Sequence, residues 1–215
     1  MCDLQNRSNI VNVVEDDPDV RRVIDLTLSS VGYEVRTFEN ARDYLDRLDD
    51  SEPSCTIIDL LLPGMSGLTL CRQLCETPTC SSFVMISGHG DIASAVDVMK
   101  LGAIDFLEKP VSRERLLHAV NAGLERARRR FAEESEEREV WKRLQSLTPR
   151  EREVFDGMAD GLVTKQIALQ LGISTKTVDV HRSKISQKLC IDSPSQLGKI
   201  ISIVSRRQRF RQSLK

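Results

Sequence analysis

Long apolar runs are absent from this sequence of 215 residues. No stretch approaches the ~18 consecutive apolar residues that a membrane-spanning helix requires, so no such helix is predicted. The first residues, MCDLQNRSN, also lack the apolar segment of a secretory signal. These two absences favour a cytoplasmic protein without a membrane partner.

Aromatic residues and closely paired cysteines are also scarce. Phe, Trp and Tyr make up 4% of the chain, which argues against a protein that stacks its side chains on single-stranded nucleic acid. No C-x-x-C pair occurs, although four of the six cysteines lie within 26 residues: Cys55, Cys71, Cys75 and Cys80. A zinc or redox site is one interpretation of these four. The spacing matches no standard zinc pattern, and free thiols with Cys55 and Cys71 as small core residues is the simpler one.

The net charge of −1 conceals a strong asymmetry along the chain. Residues 1–125 contain 11 Lys and Arg against 21 Asp and Glu, a net charge of −10. Residues 126–143 carry +2, and residues 144–215 contain 13 basic against 6 acidic residues, a net charge of +7. An acidic first half and a basic second half predict two domains with different partners, the second partner being a polyanion.

Strand-like and helix-like segments alternate through residue 125. Five short apolar runs predict strands, in the order IVNVV, YEVRTF, CTIID, SFVMIS and DFLEK. A helical pattern follows each of them, and Gly32 and Gly102 end two of these helices. Five β–α repeats predict an α/β domain at residues 8–125, a doubly wound, five-stranded parallel sheet with helices on both faces.

The last helix of this domain continues into a charged segment, residues 126–143, which is predicted as a helical linker. A short heptad seam runs along the helix. Much of this seam would face the sheet, and only its later part indicates a dimer contact. The seam consists of Leu117, Val120, Leu124, Ala127 and Phe131.

A small all-α domain is predicted beyond the linker, at residues 144–205. Thr148 and Glu151 form a T-x-x-E capping box, and three more compact helical patterns follow it. Residues 206–215 form a basic tail, for which we expect no fixed structure.

Polar side chains follow four of the five predicted strands. In chain order they are Glu15, Asp16 and Asp17, then Asp59, Ser87 and Lys109. Because parallel strands place their C-terminal ends at one edge of a sheet, these residues would form an acidic pocket with one lysine and one hydroxyl. Clustered carboxylates call for a cation, and hard oxygen ligands favour Mg²⁺. An aspartate in such a pocket is able to accept a phosphoryl group. The alternative is a strand-end carboxylate that only caps a loop or pairs with Lys109.

The stretches VVEDDPDVR, IIDLLLPGMSG, MISGHGD and DFLEKP resemble, in that order, the motifs of the receiver domain of two-component response regulators. The resemblance implies that Asp59 is the phosphoacceptor. It also implies that Mg²⁺ binds to Asp16, Asp59 and the backbone carbonyl of Leu61, with Glu15 acting through water.

The same resemblance assigns roles to the residues around the phosphoryl group. Lys109 would neutralise its charge, Ser87 would hydrogen-bond it, and Phe106 would be the switch aromatic. The bond between Lys109 and Pro110 would be cis. The chain departs from the commonest pattern by a Glu-Asp acidic pair and by serine in place of threonine. His89, in the loop after Ser87, is expected to be solvent-exposed rather than part of a phosphoryl relay.

Residues 147–199 resemble the helix-turn-helix of the LuxR/FixJ group of transcription regulators. The matching stretch is LTPREREVFDGMADGLVTKQIALQLGISTKTVDVHRSKISQKL, whose T-V-x-V-H-R core is typical of that output domain. If a helix begins near Ser174, an apolar face forms from Val178, Ile185 and Leu189. The alternative is a small helical bundle that binds protein and has a solvated basic face.

The rest of that helix predicts the contacts with double-stranded DNA. They are Lys176, Thr177, Asp179, Val180, Arg182, Ser183, Lys184 and Lys188. Val180 would meet a thymine methyl group, and the three lysines would contact phosphates. Asp179 would accept from a cytosine amino group or, as we slightly prefer, pair with a neighbouring lysine. Arg182 would brace a neighbouring helix or reach a flanking phosphate.

Together these features predict a phosphorylation-dependent transcription regulator. A partner histidine kinase would supply the phosphoryl group, and phosphorylation would produce a homodimer that binds DNA. The chain is not predicted to be an enzyme. A haloacid-dehalogenase-type phosphatase needs a general acid two residues after its nucleophile, where this chain has Leu61, which cannot transfer a proton. A regulator that works without phosphorylation is the other alternative.

Overall fold

The computed structural model describes residues 9–77, 79–88 and 92–212, the last seven of them by their backbone alone. The strands in these ranges are β1 (Ile10–Val14), β2 (Glu34–Phe38), β3 (Ser54–Asp59), β4 (Ser81–Ser87) and β5 (Phe106–Glu108). The first helices are α1 (Pro18–Ser29), α2 (Ala41–Asp46), α3 (Gly67–Glu76), α4 (Ile92–Lys100) and α5 (Arg113–Gln145). They are followed by α6 (Pro149–Ala159), α7 (Thr164–Leu171), α8 (Thr175–Leu189) and α9 (Pro194–Gln212). Among the described helices, none has the length and apolar character needed to span a membrane.

The five strands form one parallel sheet, as predicted, and their order is β2-β1-β3-β4-β5. The chain steps from β1 to β2 in one direction and then continues from β3 to β5 in the other. The order therefore reverses between β1 and β3, where ligands bind in sheets of this kind. Val14 of β1 lies opposite Ile58 of β3, so the residues that follow both strands emerge side by side.

Alternating side chains of the sheet enter two separate cores, one on each face, because successive strand residues point to opposite sides. Val11, Val13 and Ile57 pack with α1 and α5. Val14 and Ile58 pack on the other face with α2, α3 and α4. Helices on both faces confirm the predicted doubly wound architecture.

Helix α5 is 33 residues long and belongs to both compact units of the chain, which divide between Ala132 and Glu133. Its first part is buried against the sheet: Leu124 is 1% exposed and lies in the core with α1. The expectation that Leu124 takes part in a dimer seam is therefore wrong, because its side chain is already covered by the same chain.

The later part of α5 contributes to the core of the second unit. Val140 and Leu144, which is 2% exposed, pack there with residues of α6, α7, α8 and α9. The predicted linker, residues 126–143, therefore does not lie between the two compact units as a separate segment. Its last turns are part of the second hydrophobic core.

The second unit otherwise consists of the four predicted helices. The Thr148 side chain accepts from the Glu151 N–H, and the Glu151 side chain accepts from the Thr148 N–H, which confirms the capping box. Gly172 has φ = 63° after α7 and separates it from α8. Helix α9 runs to Gln212, so most of the segment expected to lack fixed structure is helical.

The five described cysteines have free thiols. Cys55 and Cys71 are buried in the two cores of the first unit, which confirms their interpretation as small core residues.

Candidate functional site

An acidic cluster lies at the point where the strand order reverses. Glu15 and Asp16 follow β1, and Asp59 is the last residue of β3. Carboxylate oxygens of the three residues lie within 4.8 Å of one another. Glu15 and Asp59 are buried whereas Asp16 is exposed, so the cluster has one open side. Within the described ranges it is the only group of three or more Asp, Glu, His or Cys residues arranged to hold a metal ion.

Lys109 joins the two buried carboxylates from the end of β5. Its Nζ lies 2.8 Å from Asp59 Oδ2 and 2.8 Å from Glu15 Oε2. Burial alone would lower the pKa of Lys109, but hydrogen bonds to Asp59 and Glu15 outweigh burial and raise the pKa above its ordinary value. The lysine therefore stays charged. The other carboxylate oxygen of Asp59, Oδ1, accepts from the Leu61 N–H at 3.2 Å.

Glu15 is the residue whose ionisation is most disturbed by the site. Burial raises its pKa to about 7, and the nearby Asp59 charge adds to the increase while Lys109 opposes it. Glu15 Oε1 also accepts from the Asp17 N–H at 3.3 Å. A further positive charge beside Glu15 would therefore stabilise its ionised form.

Ser87 and Phe106 lie on the neighbouring strands. Ser87 ends β4 and is fully buried, and its carbonyl accepts from the Lys109 N–H at 2.7 Å. Phe106, at the start of β5, is half-buried against the core that contains α4. The peptide bond between Lys109 and Pro110 is cis, as predicted. His89 lies outside the described residues.

Two contributors to this pocket escaped the sequence analysis. Arg21 donates from Nη1 to the carbonyl oxygens of Glu15 and Asp16, at 2.6 and 3.1 Å. Gly67, the first residue of α3, approaches the backbone of Asp59 so closely that a Cβ there would lie 2.1 Å from the Asp59 carbonyl oxygen. The glycine that ends IIDLLLPGMSG was a signal for such an approach, whereas one of the two arginines on α1 gave none.

In the second unit, α8 has the amphipathic form that the sequence predicts. Its N-terminus is capped by Ser174, whose Oγ accepts from the Thr177 N–H at 3.0 Å. Val178, Ile185 and Leu189 are buried in the core, as predicted. The opposite side is exposed and presents Lys176, Thr177, Asp179, Val180, Ser183 and Lys184.

Thr164, at the start of α7, links two of the predicted DNA contacts. Arg182 Nη1 donates to the Thr164 hydroxyl at 3.2 Å, and this hydroxyl donates to Asp179 Oδ1 at 3.5 Å. Arg182 thus braces the neighbouring helix, one of the two alternatives expected for it. The described contact of Asp179 is a hydroxyl group rather than the lysine that we expected.

Lys188 was predicted to contact a DNA phosphate, but its ammonium group is bound to other residues of the second unit. Its Nζ lies 2.7 Å from Glu151 Oε2 and 3.1 Å from the Ser146 carbonyl oxygen. Glu151 is buried, so moving Lys188 to a phosphate would leave a buried carboxylate without its cation. Lys188 has a structural role in the folded unit.

Two family comparisons match the two units. Residues 11–121 match the family described as response regulator receiver domain, and residues 145–200 match the bacterial regulatory proteins of the luxR family. The chain is a response regulator. Like other response regulators with these two domains, it regulates transcription under the control of phosphorylation.

Curated response regulators resemble the chain over most of its length. The transcriptional regulatory protein FixJ of Bradyrhizobium diazoefficiens is 33% identical over 190 residues, 88% of this chain and 93% of FixJ. The response regulator protein TodT of Pseudomonas putida F1 is 35% identical over 92% of this chain and 87% of TodT.

Two solved response regulator structures match the chain over most of its length. StyR is 40% identical with a TM-score of 0.76, and the match covers 92% of this chain and 98% of StyR. Full-length FixJ from B. japonicum is 31% identical with a TM-score of 0.56, covering 94% of this chain and 99% of FixJ.

Proposed function

We propose that Asp59 is the phosphoacceptor of this response regulator and that a partner histidine kinase is the physiological donor. The observation that carries the proposal is the convergence of Asp59, Glu15 and Lys109 at the reversal of the strand order. A carboxylate oxygen of Asp59 would attack phosphorus while the bond from phosphorus to the donor's leaving group breaks, and the product is an acyl phosphate. Lys109 would offset the negative charge of the phosphoryl oxygens, and Ser87 would donate a hydrogen bond to one of them. Phe106 would repack in response.

The residues of the acidic cluster fit a bound Mg²⁺. The available donors are all oxygen atoms, as this ion prefers, and the exposed Asp16 leaves room for retained water ligands. Asp16, Asp59 and the backbone carbonyl of Leu61 would hold the ion, with Glu15 acting through water. The ion would supply positive charge to the phosphoryl oxygens.

The phosphoacceptor assignment is tested by mass spectrometry of the intact protein. Incubation with acetyl phosphate and MgCl₂ should add one phosphoryl group to the wild type and to a control, Asp97→Asn, which removes an exposed carboxylate on α4. Asp59→Asn should abolish the addition, and Asp16→Ala should reduce it at least tenfold by removing a proposed metal ligand. A phosphoryl group that persists in Asp59→Asn would contradict the assignment.

A hydrolase that turns over its aspartyl phosphate is disfavoured by the same pocket. The residue two positions after Asp59 is Leu61, whose side chain is 62% exposed and has no proton to transfer to a leaving group. We therefore infer a regulator rather than an enzyme, working in the cytoplasm, where its DNA target is.

The exposed side of α8 is proposed to enter the major groove of double-stranded DNA. Val180 would contact a thymine methyl group, and Lys176 and Lys184 would contact phosphates. Thr177, Asp179 and Ser183 would complete the contact set, with Arg182 bracing α7 through Thr164, and Lys188 is no longer included. In binding to a pool of genomic DNA fragments, Lys184→Ala should weaken affinity for all fragments and reduce the slope of log K against log salt concentration by about 1, whereas Val180→Ala should change which fragments are enriched. Equal enrichment patterns for Val180→Ala and the wild type would contradict the groove assignment.

A further inference from the structure

Arg21 is a largely buried cation beside the acidic pocket, and it contacts the backbone carbonyls of Glu15 and Asp16 rather than their carboxylates. We propose that Arg21 positions the turn formed by Glu15 and Asp16, and thereby sets the affinity of the pocket for its divalent cation. The inference rests on the proposed function of the pocket as a Mg²⁺ site. Arg21 is a positioning residue, because all its contacts with the turn are to backbone atoms.

The guanidinium group ties three parts of the chain together. From α1, Nη1 donates to the carbonyl oxygens of Glu15 and Asp16, and Nη2 donates to Glu39 Oε1 at 3.0 Å. Its side chain is only 14% exposed. The five donors of a guanidinium lie in one rigid plane, so a single side chain fixes two successive peptide carbonyls relative to the end of β2.

The other hydrogen bonds described for this turn do not involve the carbonyl oxygens of Glu15 and Asp16, which accept from Arg21. The Glu15 N–H donates to the Phe38 carbonyl, and the Asp17 N–H donates to Glu15 Oε1. Asp17 Oδ1 caps α1 by accepting from the N–H groups of Asp19 and Val20. These contacts restrain N–H groups and the start of α1, whereas Arg21 restrains the two peptide carbonyls between them. Asp16 is exposed, so the direction of its carboxylate depends on how firmly this backbone is held.

Charge and positioning predict opposite effects when Arg21 is replaced. If the arginine acted only through its charge, removing a cation from the surroundings of the pocket would strengthen the binding of Mg²⁺. If it positions the ligand turn, removing it should weaken binding, because a metal site loses affinity when its ligands are no longer held in place. The sign of the change therefore separates the two roles.

The test is calorimetric titration of the full-length protein with MgCl₂. We expect Arg21→Met to raise the Kd by about 10-fold, at the lower end of the range for residues that orient metal ligands. Arg21→Lys should also weaken binding, because a point charge cannot span two carbonyls as the planar fork does. Glu39→Gln should change the Kd less than twofold, since Glu39 is largely exposed and such ion pairs are weak.

Arg22→Met is the matched control, because Arg22 is the next residue of α1 and its side chain is exposed. It removes the same charge and should leave the Kd unchanged or slightly lowered. Thermal unfolding of each variant shows whether the receiver fold is intact at the titration temperature. An arginine that only stabilised the fold would lower the Tm in Arg21→Met without changing the Kd.

The outcomes distinguish this inference from the proposed function. If wild type binds Mg²⁺ and Asp16→Ala does not, but Arg21→Met binds as well as or better than wild type, the positioning role is wrong and the metal site stands. If the wild type does not bind Mg²⁺, both are wrong. A weaker Kd in both Arg21 variants, with Arg22→Met unaffected, establishes the positioning role.

Discussion

Gly67 leaves no room for a side chain beside the end of the phosphoacceptor strand. A methyl group at this position would lie 2.1 Å from the Asp59 carbonyl oxygen and 2.9 Å from its carbonyl carbon. Both are backbone atoms, so the overlap can be relieved only by moving α3 away from the end of β3. We expect Gly67→Ala to destabilise the receiver by about 1–3 kcal/mol and to slow phosphorylation of Asp59.

The measurement combines chemical unfolding followed by circular dichroism with mass uptake from acetyl phosphate. Gly198→Ala provides the control, because a Cβ at that position in α9 meets no described atom within 4 Å. A helical glycine in open space should instead gain about 0.5–1 kcal/mol on conversion to alanine. Wild-type stability and phosphorylation in Gly67→Ala would show that α3 moves freely.

Glu151 is a buried carboxylate whose charge depends on the fold. The hydrogen bond from Lys188 and those from Thr148 outweigh burial and lower its pKa to about 2. A group with a depressed folded-state pKa stabilises the fold above its unfolded pKa, ordinarily near 4.5. That contribution is lost as the pH falls from about 5 towards 2. Glu151→Gln should destabilise the second unit by about 1–3 kcal/mol at pH 7 and flatten this acid dependence.

The single tryptophan of the chain offers a selective probe for this experiment. Trp141 packs against the core of the second unit, so its fluorescence reports the unfolding of that unit. Urea titrations at several pH values between 2 and 7 would compare Glu151→Gln with Glu153→Gln, which removes an exposed carboxylate on the same helix. An acid dependence that is equally steep in all three proteins would refute the role of Glu151.

Individual residues differed in how far the sequence revealed them. The grouping of the acidic residues and Lys109 was predictable because parallel strands place their C-terminal ends at one edge of the sheet. The contact of Lys188 was not, because its position on α8 suggested the solvent side, whereas its long side chain reaches Glu151 on α6. Arg21 acts on backbone carbonyls, and no residue pattern marks a carbonyl as a partner.

At the scale of elements, α5 is the helix whose assignment changed most. Its helical pattern and its charged middle were visible in the sequence, but a periodic pattern does not say which core an apolar residue enters. Leu124 faces the sheet, and Leu144 enters the second core. Three-dimensional packing therefore decided between a free linker and part of a domain.

The position of Leu144 leads to a direct test. Leu144→Ala should destabilise the second unit by about 2–5 kcal/mol, because it removes a fully packed side chain from the core. Gln145→Ala, at the exposed neighbouring position, should change stability by less than 0.5 kcal/mol. Urea unfolding followed by Trp141 fluorescence measures both. Equal unfolding midpoints for the two variants would mean that this turn of α5 is not part of the folded unit.

The whole molecule combines a receiver half of net charge −10 with a basic C-terminal half of +7. The acidic half would oppose binding to DNA through electrostatic repulsion, and a dimer would compensate by binding two half-sites at once. Since Leu124 is buried, its side chain cannot contribute to a receiver dimer. Helix α4 offers Ile92, Val96 and Met99, which are 80%, 45% and 46% exposed and lie on one side of the helix.

We expect phosphorylation of Asp59 to produce a homodimer through this side of α4. Repacking of Phe106, which borders the core that contains α4, would link the two sites. Sedimentation velocity after treatment with acetyl phosphate should show a dimer for the wild type and a monomer for Asp59→Asn. Val96→Arg should accept the phosphoryl group yet remain monomeric, because it places a charge in the apolar contact.

Val23→Arg is the control for the dimerisation experiment, since Val23 is 63% exposed on α1, a different helix. It should still dimerise on phosphorylation.

DNA binding should follow the oligomeric state, with half-sites about 34–36 Å apart held together by the dimer. A fragment of residues 133–215, which retains Val140 and Leu144, should bind DNA weakly as a monomer. If that fragment binds more tightly than the unphosphorylated full chain, relief of the acidic half contributes as well. If phosphorylated wild type remains monomeric on and off DNA and its affinity is unchanged, dimerisation does not couple Asp59 to DNA binding.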